Sequence, residues 1–105
     1  MDNFKIIYRI LKILEKALDY ENFDNELLSP ESLGITRERR DALLKMLLDS
    51  GYMEGLKEIK ALEMGSSRMQ LICPRITLKG LEYLSENSVM KKVGAFMKGA
   101  FDTLT

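Results

Sequence analysis

The chain predicts an α+β, mostly helical fold, a winged helix-turn-helix, and three observations carry that prediction. Apolar residues keep helical spacing as far as Gly51, and β-tolerant runs follow. Inside the helical half, SPESLG followed by Ile35 and Thr36 places two helices around a tight turn. Helical spacing then returns in TLKGLEYL. Three helices, a two-stranded hairpin wing and one or two C-terminal helices are the element order of a winged helix.

The first helix is expected from Asn3 to about Tyr20, with Phe4, Ile7, Leu11, Leu14 and Leu18 on its apolar stripe. Ile6, Ile10, Ile13 and Ala17 widen that stripe. Asn22 to Leu28 reads as a connection. Ser29 is then an N-cap, Pro30 a first helical residue and Gly34 a stop, which leaves a helix of little more than one turn. Thr36 caps a third helix that ends at Gly51. At about 100° per residue its buried arc is expected to hold Ala42, Leu43, Met46 and Leu47, with Glu38, Asp41, Lys45 and Asp49 opposite.

Tyr52 to Leu62 and Arg68 to Ile72 form the hairpin, joined through EMGSS. Leu56 and Ile59 fall on opposite parities, so a bulge is expected at Gly55 or beside it. Pro74 is expected to end the second strand, because it has no N–H to give to a ladder. Thr77 caps a helix to about Glu86, with Leu78, Leu81 and Leu84 facing inward. Gly80 in its first turn costs roughly 1 kcal/mol against alanine. It therefore marks a close approach to other backbone, in the hairpin or the first helix.

Residues 1–86 are read as the winged-helix domain and residues 87–105 as a C-terminal amphipathic helix opened by Ser88. That helix covers the domain or forms a dimer seam through Val93, Phe96, Met97, Phe101 and Leu104.

Composition narrows the function classes. A chain of 105 residues, 46% hydrophobic and 30% charged, buries a core without staples. Sixteen basic and sixteen acidic residues cancel, so any attraction to nucleic acid is local. With one cysteine, Cys73, and no histidine, the usual zinc spacings and the Ser-His or Cys-His pairs are excluded. No glycine-rich phosphate loop appears, and nothing fixes a catalytic acid beside a base. The expectation is a protein that is not an enzyme, with no catalytic residue, metal or cofactor. Lys5, Arg9 and Lys12 interrupt the apolar N-terminus, so no membrane span is expected and the setting reads as cytoplasmic. Charge is nonetheless uneven: residues 1–34 hold four basic and seven acidic side chains, and residues 35–105 hold twelve and nine.

The segments MDNFKIIYRILKILEKALDYENFD, LLKMLLDSGYMEG and PRITLKGLEYLSENSVMKK resemble the YjcQ family, small proteins of Gram-positive bacteria and their prophages. The likeness runs from Met1 to about Lys98. It implies a winged-helix fold with no settled biochemical activity, and it extends to DNA binding by a prophage-type transcriptional regulator only by analogy. Ile76, Thr77, Gly80 and Leu84 also look like the start of the helix after the wing in winged-helix regulators.

The DNA-binding candidates are Thr36, Arg37, Arg39, Arg40 and Lys45 on the third helix, with Lys57, Lys60 and Arg68 on the hairpin. Arginines at a helix N-terminus suit phosphate oxygens. The plainer reading is a solvated helix with an Arg37–Asp41 pair, and edge-strand cations that prevent aggregation. The partners in view are double-stranded DNA, a second copy through the C-terminal helix, or, without DNA, a basic protein meeting Glu38, Asp41 and Asp49.

Overall fold

In the computed structural model, residues 2–60 and 67–87 are described. Helix α1 spans Asn3–Lys16, and Asp2 caps it by accepting from the Phe4 N–H at 2.9 Å. The helix ends sooner than its periodicity suggests, passing into a 3-10 turn at Ala17–Asp19. Its inward side is Ile6, Ile10, Leu11 and Leu14. Phe4 and Leu18, expected on the stripe, are 70% and 56% exposed, because the buried face centres on Ile6 and Ile10.

The connection holds one more 3-10 turn, Asn25–Leu28, which aims Leu28 into the core. Helix α2 is Pro30–Leu33, with Ser29 accepting from Ser32 N–H and Gly34 left-handed at φ +72°. Thr36 accepts from Arg39 N–H at 3.1 Å and starts α3, Arg37–Asp49. The tight helix-turn-helix is therefore built as its caps dictate.

Strand β1, Met53–Lys60, pairs antiparallel with β2, Ser67–Ile76. The register shifts at Gly55, so Glu54 faces Arg75 while Leu56 faces Leu71. A Cβ on Gly55 would strike the Cys73 carbonyl, and its φ of +86° also suits glycine. Contrary to the expectation, β2 does not stop at Pro74. Residues 72–74 lie opposite the irregularity, where a proline takes no donor from the ladder. The strand resumes with Arg75 and Ile76.

Helix α4, Leu78–Asn87, begins at Thr77, whose hydroxyl accepts from Gly80 N–H at 3.1 Å and donates to Gly51 O at 2.6 Å. One side chain thus ties the end of α3 to the start of α4. A Cβ on Gly80 would collide with the Tyr52 carbonyl and lie 2.7 Å from Ile76 Cγ1. The close approach is to the residue entering β1. Leu84 is buried and Leu81 half-buried, but Leu78 is 73% exposed, since at about 100° per residue it lies roughly 120° to 160° around the helix from Gly80 and Leu84, the buried positions of α4.

The arrangement is winged-helix-like: α1 packs on α3, α4 and β2, and the hairpin projects from the end of α3. The dimer-seam residues Val93, Phe96, Met97, Phe101 and Leu104 lie outside the described residues. No helix among the described residues is long and apolar enough to cross a membrane.

Candidate functional site

Helix α3 is rotated from the expected phase. Its buried side chains are Asp41, Leu43, Leu44 and Leu47, whereas Ala42 is exposed and Met46 is 58% exposed. Leu43, Leu44 and Leu47 supply enough apolar surface to fill the seat against α1 and the sheet. Pairing with Arg40 lets Asp41 enter that seat.

Arg40 is the largest correction to the candidate set. Its Nε and Nη2 donate to Asp41 Oδ1 at 3.0 and 2.8 Å, Nη1 donates to Leu28 O at 3.2 Å, and Nη2 reaches Met69 O at 3.4 Å. The side chain is 14% exposed. Arg40 therefore joins α3 to the turn before α2 and to β2, and is withdrawn from solvent. Asp41 pairs with Arg40 and not, as expected, with Arg37. Thr36 is likewise committed, as the cap of α3.

The remaining candidates divide by position. Arg37, Lys45 and Arg68 come together around a cleft of about 310 Å³ between α3 and the wing, with Glu38, Asp41, Ala42 and Met69 in its walls. Lys45 is held in two ion pairs, to Asp49 Oδ2 at 3.1 Å and Glu58 Oε1 at 3.3 Å. Its hydrogen bonds to Asp49 and then to Glu58, both accepting from the ammonium, raise its pKa above the usual 10.5. Arg37 and Arg68 enter no ion pair among the described residues. Arg39 is exposed on another side of α3. Lys57 pairs with Gln70, and strand alternation puts both on the sheet face away from Met69 and Glu58. Exposed Lys60 stands at the outer end of β1.

Charge over α3 and the wing has a simple distribution. Among residues 36–60 and 67–76 there are eight basic and five acidic side chains, a surplus of three. Three of the acids sit on partners: Asp41 on Arg40, and Asp49 and Glu58 on Lys45. Two cations thus hold three acids around the middle of α3, and the basic surplus lies at its N-terminal turn and on the wing.

Two features escaped the sequence reading. Ala42 and Met46, expected inward, are exposed with Glu38. A second, apolar groove of about 300 Å³ lies at the end of α1 between Ile13, Ala17, Tyr20, Phe23 and Leu27. The phase of a wheel is blind to both, because it depends on which neighbour the helix meets. Cys73 is exposed, with its sulfur 3.9 Å from Arg75 Nη2. No group of three or more Cys, Asp or Glu able to hold a metal ion occurs among the described residues.

A family model described as YjcQ protein matches residues 8–103. The solution NMR structure of the YjcQ protein from Bacillus subtilis shares the fold with a TM-score of 0.51 at 24% identity, covering 80% of this chain and 94% of that one. None of the curated proteins searched matches the chain.

Proposed function

The chain belongs to the YjcQ family, and from that premise we propose that it binds double-stranded DNA through the first turn of α3 and the wing, as a small regulator. One observation carries the reading: Arg37 and Arg68 face the same cleft, and of the two acids in its walls, Glu38 and Asp41, the second is held by Arg40. Guanidinium groups on two separate elements, in no ion pair among the described residues, suit the phosphates on either side of a groove. Lys60, at the outer end of β1, extends the same contact along the wing, and Lys57 adds a cation on the opposite sheet face. About four or five phosphate contacts give a slope of log K against log salt near −4. Binding is the role, and no catalytic step is assigned.

The test is retardation of mixed-sequence duplex at about 50 mM salt. The expected result is a complex that dissolves as salt rises and weakens in Arg37→Ala with Arg68→Ala. No salt-dependent retardation contradicts the reading.

A second reading is favoured by Met46, 58% exposed on α3 beside Ala42 and the acids Glu38 and Asp49. That surface suits a basic protein partner with an apolar contact. If DNA binding is absent, loss of such a complex in Met46→Glu supports it.

A further inference from the structure

Resting on the DNA reading above, we infer that Glu38 is a specificity-determining residue that selects cytosine, with Ala42 taking a thymine methyl beside it. At about 100° per residue, Glu38, Ala42, Lys45 and Asp49 fall within roughly 60° of one another, on the pole of α3 opposite its buried side. These are the side chains a groove floor would meet first. Lys45 is engaged with Asp49 and Glu58, so each of these three side chains already has an ionic partner. Glu38 is different: it is exposed, lines the cleft, and forms no ion pair among the described residues.

An ionised carboxylate only accepts hydrogen bonds. Phosphates repel it, and so do the major-groove edges of guanine and thymine, which offer acceptors alone. Cytosine N4 and adenine N6 are the donors there, and adenine sets its N7 acceptor beside the amine. Cytosine is the base that satisfies Glu38 without a clash of lone pairs. Arg37 and Arg68 flank the carboxylate and would neutralise the nearest phosphates, which lowers the cost of bringing an acid into the groove. Ala42 stands four residues on, about 6 Å along the axis, and offers one methyl group. That distance is about two base pairs at 3.4 Å each. A methyl contact there matches the thymine C5-methyl. Affinity thus comes from the arginines and wing lysines, and base choice from an acid.

The experiment is selection from a pool of randomised duplexes by the full chain and by Glu38→Gln and Glu38→Ala, with the salt slope measured for each. The wild type is expected to enrich cytosine at one position by roughly tenfold. Glu38→Gln, which can donate as well as accept, moves that preference to adenine, and Glu38→Ala flattens it. Both keep the wild-type salt slope, because Glu38 touches no phosphate. If both variants retain the cytosine preference, or the wild type binds duplex with normal salt dependence and no preference, the assignment of Glu38 is overturned while DNA binding stands. If the wild type binds no duplex in a salt-dependent way, the DNA reading falls and this assignment falls with it.

Discussion

Arg37 and Arg40 lie one turn apart on α3, yet one guanidinium opens onto a cleft and the other is enclosed by Asp41, Leu28 O and Met69 O. The same contrast holds for the acids, since Asp41 is buried and Glu38 is exposed. The difference teaches that residue type does not separate function from architecture on this helix. Position relative to the turn before α2 and to β2 does. A guanidinium within reach of two carbonyls and a carboxylate closes a joint, and one without such neighbours stays available to a partner.

Breaking the inner face should cost most. Arg40→Ala leaves Asp41 buried and uncompensated, a loss of roughly 3 to 5 kcal/mol, which lowers the melting midpoint by more than about 10 °C. Thermal unfolding followed by circular dichroism measures it. Replacing both partners by apolar residues, as in Arg40→Met with Asp41→Leu, should lose less than Arg40→Ala, because no unpaired charge remains.

Next comes a joint outside α3. Gly80→Ala forces a Cβ against the Tyr52 carbonyl, and overpacking of that kind costs roughly 1 to 3 kcal/mol. A midpoint unchanged from wild type would show that α4 can back away from Tyr52.

The outer face should behave oppositely. Arg37→Ala is expected to leave the melting midpoint where it is and to lower the salt slope of DNA binding by about 0.9. Lys45→Ala tests the middle of the helix. Its two ion pairs are exposed to solvent, so stability should not change measurably. A lysine whose folded pKa is raised contributes below its unfolded value and loses that contribution as pH rises through the folded one. Any contribution of Lys45 therefore persists across neutral pH and fades only above 10.5.

Much of the scaffold was legible because its signals are local. Ser29, Pro30, Gly34 and Thr36 act within four residues of themselves, and each does in the structure what its type implies. Gly55 was legible as a bulge and Gly80 as a close approach, although only the fold names Cys73 O and Tyr52 O as the neighbours. The phase of α3 was not legible. Apolar spacing fits several rotations of a wheel, and the one adopted depends on Arg40 meeting carbonyls 12 and 29 residues away in sequence. Pro74 misled for a related reason, since its place in β2 rests on the bulge formed with Gly55 on the other strand. The candidate site followed the same rule: its arginines could be named in advance, but which of them is enclosed could not.

The proposed division is that cations on the outer face of α3 and the wing meet phosphates while those inside hold the fold. Its most direct test is the salt dependence of duplex binding, by fluorescence anisotropy, for the wild type and for Arg37→Ala with Arg68→Ala. The expected result is a slope reduced by about 1.8 with the melting midpoint unchanged. An identical slope in the two proteins, or a wild type that shows no salt-dependent binding, would contradict it.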